Sequence, residues 1–481
     1  MVRCRGQESQ ASRRMSVRIP GPSQWETFRR LFPTPFLRFP TFLGELAERY
    51  GDIASFSLPW RRYVFVNEPS LIKDILVTQQ HAFGKSMGTR MLRYLLGDGL
   101  LTSEEPLHRQ MRRIVQPAFH RARVARYVEM MQQAADEFAA SIVPGQALDV
   151  HAAITGLTLR IASTTLFGSD ESESTQRVSD ALRDMMQEFP YVLMPFGELR
   201  RHLPLASTKR FERAERTLDD IIYGIIARRR ENPVDTGDAL SMLLDARDAE
   251  SGYRPDDRQI RDEVMTLFTA GHETTANLLT WTLYLLSQNP QVDERFGKAV
   301  AGGDRDYVLR VIRESLRLYP PAWVIGREPF EDVELTGGYR VAAGTTVLFA
   351  PLFLHRLPSL YRDPLRFEPD RWIDWEPDPF AYVPFGAGAR QCIGNEFALS
   401  EAAVVLEALG RRFSFVRDLH EPVGIAPLVT LRPSGAVEMR AVRRTVTAGE
   451  EGYDIGQERT ECGSSDGSHK RLVQQSPSSE Q

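Results

Sequence analysis

The stretch FGAGARQCIG, from Phe385 to Gly394, sets one cysteine and one arginine among three glycines. The chain has only three cysteines, Cys4, Cys392 and Cys462, and their wide spacing is no disulfide framework. Three chemistries compete for Cys392. A dinucleotide loop needs G-x-G-x-x-G; Gly386 and Gly388 fit, but the third position is Gln391. A structural cysteine acts as a small core hydrophobe, which leaves the glycines and Arg390 without a role. An axial thiolate on a haem iron uses more of the residues, pushing electron density toward O–O cleavage. The glycines then let the backbone turn closely against a flat macrocycle. Loop N–H groups can hydrogen-bond the sulfur, and Arg390 can reach a propionate. The next run, IGNEFALSEAAVVLEALGRRF, patterns as an amphipathic helix whose N-terminal dipole favours a thiolate.

Three further groups could do chemistry. AGHETT, from Ala270 to Thr275, suggests the zinc pattern H-E-x-x-H, but the second histidine position is Ala276, so one ligand is missing. Without a partner site, Glu273 and Thr274 are ordinary helix residues. In HRQMR, His108 and Arg112 stand at i,i+4 and face one way. Such a pair is either a solvated basic face or an anion site. In ESLR, Glu314 and Arg317 stand at i,i+3; alone they read as a surface ion pair.

The elements that must position these groups are mostly helical. Apolar spacing predicts helices over 106–119, 122–143, 153–167, 207–230, 258–289 and 305–318, with Pro290 ending the fifth. Strand-like runs are short: IASFSLP, RYVFV, YRVAAGTTVLFA and VEMRAV. The expected fold is mainly α with small peripheral β-sheets. Residues 1–22 read as a disordered leader, 23–444 as a single catalytic domain and 445–481 as a polar disordered tail. A formal net charge of −4 over 481 residues gives no sign of nucleic-acid binding. No run of 18 apolar residues is present, so no transmembrane anchor is expected, and the reading is cytoplasmic.

F-x-x-G-x-R-x-C-x-G, filled by Phe385, Gly388, Arg390, Cys392 and Gly394, resembles the haem-binding signature of the cytochrome P450 family. AGHETT, ESLR and FEPDRW follow the order of that family's other motifs, and the resemblance spans roughly residues 20–440. It implies the cytochrome P450 fold and heme b, with Cys392 as the metal ligand. It implies that His108, Arg112, Arg327 and Arg390 meet the propionates. Gly271 would leave room for dioxygen, and Glu273 and Thr274 would deliver protons. Glu314, Arg317 and Arg371 would form a buried triad bracing the cysteine loop, with His355 in structural support.

The resemblance also implies a monooxygenase that hydroxylates or epoxidises a hydrophobic small molecule with O2. No cysteine cluster for an iron–sulfur centre is present, so electrons are expected from a separate ferredoxin or flavodoxin and its reductase. Arg109, Arg113 and Arg121 are the candidate docking patch. The expected substrate pocket holds Met91, Leu95, Phe189, Phe196, Phe268, Trp323, Val324 and Leu428, which suits a terpene-like or fatty acyl compound. Arg90 or Arg93 would anchor an acyl carboxylate. The alternative is a haem-thiolate peroxygenase, dehydratase or isomerase needing no external electrons; the pair Glu273 and Thr274 favours dioxygen activation.

Overall fold

Asp256 ends an extended segment, and its carboxylate accepts the backbone N–H of Gln259. That cap starts a 32-residue helix, Asp257–Gln288. The computed structural model describes residues 17–32, 35–168, 177–178, 180–185, 203, 205–232, 237–419 and 421–444. Seven helices build and surround the site: α1 (Leu107–Val115), α2 (Arg121–Ser141), α3 (Val150–Phe167), α4 (Ala206–Glu231), α5 (Asp257–Gln288), α6 (Arg305–Leu318) and α7 (Asn395–Gly410). All lie in one compact unit. Helices α3, α4, α6 and α7 pack around α5. Their apolar residues form one large core with α5, including Leu166, Leu279, Trp281, Ile312 and Val405.

Two helix boundaries differ from the spacing-based expectation. The helix expected over 106–119 tightens into a 3₁₀ turn at Gln116–Phe119, because Pro117 has no N–H to continue an α-helix. Pro290 does not itself end α5. The break is at Asn289, with φ −130° and ψ 76°, and Pro290 opens the next helix, where its missing N–H costs nothing. The spacing also missed a helix at Pro35–Tyr50, whose pattern is interrupted by Pro40.

A five-stranded sheet is built from β1 (Ile53–Leu58), β2 (Arg61–Val66), β3 (Phe83–Lys85), β4 (Ile325–Pro329) and β5 (Thr346–Phe349), in the order β1-β2-β5-β4-β3. Only the β2–β5 pairing is parallel. The run YRVAAGTTVLFA, expected as one strand, is two. Tyr339–Val341 pairs with Val333–Leu335, and β5 joins the large sheet. Gly344, at φ +72°, makes the turn between them. A hairpin, β6 (Ile425–Pro427) with β7 (Leu431–Pro433), lies against α5. Of the leader expected over 1–22, the described part is packed chain: Ser55 N–H donates to Pro20 O at 2.7 Å, and Val17 bridges Tyr339. The tail expected over 445–481 lies outside the described residues.

Candidate active site

The cysteine loop is held by backbone contacts. The Cys392 N–H donates to Phe385 O at 2.9 Å, and the Ala389 N–H donates to Gln80 Oε1 at 2.8 Å. Gly388 sits at φ +71°, and a Cβ there would lie 1.9 Å from Leu76 O. Its glycine is therefore required by a neighbouring main chain. Cys392 carries open surface. Atoms crowding its sulfur push the thiol up, while the Gly394 N–H and the Arg112 guanidinium pull it down. In this protein-only environment crowding outweighs the helix-start effect expected from sequence.

Beneath the loop stands the charged triad. Both Glu314 and Arg317 are fully buried. Arg317 Nε and Nη2 donate to the two Glu314 oxygens at 2.9 and 2.8 Å. Glu314 also accepts from Arg371 Nε at 3.3 Å, Trp372 Nε1 at 3.0 Å and the Glu368 N–H at 3.0 Å. Arg317 donates onward to the carbonyls of His355, Pro364 and Arg366. His355 Nε2 then accepts the Val383 N–H at 3.0 Å, two residues before Phe385. The triad thus fixes the chain between His355 and the cysteine loop from one buried point.

A cluster of cations lies nearby, and the sequence reading missed one member. Lys85 on β3 stands directly across from Arg327 on β4. Like charges placed opposite each other destabilise a sheet. Lys85 is buried, and its Nζ donates to Leu100 O and Leu101 O at 2.8 and 2.6 Å. Burial first, then Arg390 and Arg327, bring its pKa down to about 6. Arg327 Nη1 donates to the Gly326 carbonyl at 2.9 Å, and burial lowers the guanidinium to about 10. Arg390 pairs with Glu104 and donates to Ser103 O at 3.3 Å. Arg112 donates to Gln391 O at 2.8 Å, beside the cysteine. His108 is buried with Nδ1 3.2 Å from Glu105, and burial with neighbouring Lys85 holds its pKa at about 3. One carboxylate, Glu104, serves Arg390 and the Lys85 backbone. The cluster therefore suits a ligand bearing further carboxylates.

Helix α5 offers the matching surface. Every residue from Gln259 to Leu286 is buried except Ala270, Gly271 and Thr274, which share one face. Thr274 Oγ1 donates to Ala270 O at 2.7 Å. An accessible helix face, an accessible cysteine and an excess of cations fit a flat, dianionic group. Glu273, the expected relay residue, is bonded to the β6–β7 hairpin. Its carboxylate accepts from Arg432 Nε at 2.7 Å and from the Thr430 hydroxyl. Burial raises its pKa, but Arg432 and Thr430 outweigh that and leave it lowered.

Glu263, also unnoticed in sequence, sits on the Gly271–Thr274 helix two turns earlier and is wholly buried. It accepts the Leu100 N–H at 3.0 Å, and its other oxygen has no partner. Burial pushes it up to about 8 from 4.5, with Lys85 pulling down and Asp262 pushing up. The folded chain then keeps a proton that the unfolded chain loses between those pH values. Its contribution to stability is present below about pH 4.5 and declines toward pH 8. Denaturant midpoints across that window should fall less steeply in Glu263→Gln than in the parent; parallel curves would refute the assignment.

The expected pocket residues lie in several settings. Phe268 stacks on Phe167 at 5.1 Å. Leu95 is buried in the main core, and Met91 is half-buried. Trp323 is buried in a second cluster with Phe42, Phe56 and Phe65, which Val324 flanks. Its indole N–H donates to Leu428 O at 3.0 Å. Leu428 is exposed on the β6–β7 turn. Phe189 and Phe196 lie outside the described residues. A surface groove of about 620 Å³ near Trp60 and Gly344 is lined by none of these side chains. In the expected docking patch, Arg109 and Arg121 are exposed. Arg113 is not available as expected: it is bidentate to Asp248 at 2.7 and 2.8 Å and also meets Glu250.

The cytochrome P450 family profile matches residues 20–436, and the chain belongs to that family. Among similar proteins is cyclooctatin synthase of Streptomyces melanosporofaciens, 36% identical over 390 residues, covering 77% of this chain and 84% of the relative. Cyclooctat-9-en-7-ol 5-monooxygenase of the same organism is 34% identical over 395 residues, covering 77% and 84%. Pentalenene oxygenase of Streptomyces avermitilis is 32% identical over 428 residues, covering 85% and 94%. The chain is thus an oxidoreductase of a haem-thiolate family, so haem is its expected cofactor. Among the described residues, no helix is long and apolar enough to cross a membrane.

Proposed function

We propose that this protein is a monooxygenase that hydroxylates or epoxidises a terpene-like hydrocarbon, with Cys392 as the iron ligand. Bound haem would supply dioxygen activation. Arg112, Arg327 and Arg390 would hold its carboxylates as cations, with His108 and Lys85 as further N–H donors. Thr274, on the accessible face of α5, donates its hydroxyl to Ala270 O, which leaves its oxygen able to accept a hydrogen bond. Glu273, one residue away, is the nearest buried acid to that hydroxyl in sequence and is ionised by Arg432. Proton supply through it requires its carboxylate to leave Arg432 and take a proton.

The observation that carries the hydrocarbon reading is the state of the two arginines expected to anchor an acyl carboxylate. Arg90 pairs with Glu328, and Arg93 pairs with Asp98 at 2.6 Å. Each already has a carboxylate, so neither is left over for a fatty acid. The terpene-modifying relatives support the same class. In the haem-loaded protein, a cyclic sesquiterpene or diterpene hydrocarbon should shift the Soret band at micromolar concentration, and dodecanoic acid should not. The reverse ranking would restore the acyl reading.

Electrons would come from an acidic ferredoxin or flavodoxin docking at Arg109 and Arg121, the two expected patch residues that are exposed. Charge reversal at both should slow reduction several-fold at low salt and little at high salt. Unaltered reduction rates would exclude this face.

A further inference from the structure

Along one side of α5, residues 273, 277 and 281 stand at i, i+4 and i+8, beside the chain segment 430–432 at the start of β7. Glu273 takes the Thr430 hydroxyl and Arg432 Nε. Asn277 Nδ2 donates to Thr430 Oγ1 at 3.1 Å. Trp281 Nε1 donates to Leu431 O at 3.0 Å. From the other side, Trp323 Nε1 holds Leu428 O. The turn of the β6–β7 hairpin, with Leu428 and Val429, is therefore tied beside the helix segment that carries Ala270, Gly271 and Thr274. Of these ties only the one at Glu273 is ionic. Its partners are largely buried, with side-chain exposures of 9% for Glu273 and 25% for Arg432. Removing either partner leaves a poorly solvated charge behind.

We propose that the Glu273–Arg432 pair clasps the β6–β7 hairpin onto α5 and so fixes the apolar wall of the substrate site, making Arg432 a positioning residue and giving Glu273 a role in binding besides proton supply. This rests on the haem-thiolate reading above. A carboxylate that must leave its partner to carry a proton also loosens the wall as it does so. The ligand class implied is a bulky apolar ring system that meets Leu428 and Val429 without a charged anchor.

The test uses two nitrogen ligands on the haem-loaded protein, imidazole and 4-phenylimidazole, read by the Soret shift. Imidazole is too small to reach the hairpin, so its Kd should hold in every variant. For 4-phenylimidazole, Arg432→Gln and Glu273→Gln should each raise Kd about tenfold, and the double variant should be no worse than either, because the two changes break one interaction. Arg432→Lys should recover most of the affinity. Multiplying effects in the double variant, or unchanged 4-phenylimidazole binding, would overturn the clasp. Absence of any imidazole shift in the parent chain would instead sink the haem-thiolate reading itself. Should a glutamine variant fold poorly by thermal midpoint, the Arg432→Lys and Glu273→Asp pair decides the same question: loss in Glu273→Asp, whose carboxylate is one methylene short, with recovery in Arg432→Lys, supports the clasp, and parent-like binding in both refutes it.

Discussion

Glu314→Ala is expected to remove roughly 3–5 kcal/mol of stability, the scale for breaking a buried charge cluster from one side. Alanine strands Arg317, whose side chain is 0% exposed, and takes from Arg371, 6% exposed, one of its two carboxylates, leaving it Glu368. It also leaves the Trp372 indole N–H and the Glu368 N–H without their acceptor. Arg317 keeps its three carbonyl partners, so its charge stays inside with nothing to balance it. Whole domains hold only about 5–15 kcal/mol, so the variant should unfold at markedly lower denaturant and retain little haem. The same substitution costing under about 1 kcal/mol by denaturant midpoint would mean that the triad shapes the loop without stabilising it.

The second large effect is chemical. Cys392→Ala should abolish the long-wavelength ferrous–carbon monoxide band that marks thiolate ligation and should abolish turnover. It should leave the protein-only fold nearly untouched, within about 0.5 kcal/mol, because the side chain is exposed. The loop's closing bond, Cys392 N–H to Phe385 O, is backbone and survives the change. A carbon monoxide difference spectrum and a melting curve on the same sample separate the two outcomes. Retention of the band in the variant would remove Cys392 from the iron.

The contrast between the two variants explains what was legible in the sequence. Glu314 and Arg317 read as a surface pair until the order of the family's motifs implied a buried triad, whereas Cys392 and Arg390 sit in a short local pattern that residue type and spacing single out. Helix α5 was legible for the same reason: its period persists for 32 residues. Lys85 was not, because its meaning depends on Arg327 being opposite it, across more than 200 positions of chain. Arg432 was missed likewise, since only the packing of a C-terminal hairpin on α5 brings it to Glu273. Arg113 was read as surface charge because helical spacing shows which way it points but not that Asp248 waits there. Trp323 illustrates a further limit: apolar composition selects core and pocket residues alike, and this one is in a packed cluster. Gly388 was read as letting the loop turn closely against a macrocycle; the neighbour that excludes a side chain there is the Leu76 carbonyl, which spacing could not show.

The burial of α5 on nearly all sides bears on how the molecule breathes. An element enclosed by core on every face can open only when its surroundings open, so its amides should belong to the most slowly exchanging cooperative unit. The turn from Ala270 to Thr274 is the one stretch of its interior bordered by accessible surface. There two threonine hydroxyls, Thr274 and Thr275, lean back onto the carbonyls of Ala270 and Gly271. Thr280 and Thr282 back-bond in the same way but are fully buried, so it is here, where that competition meets accessible surface, that a local distortion should cost least. The helix thus combines a rigid frame with one compliant turn, the turn that carries Gly271 and Thr274.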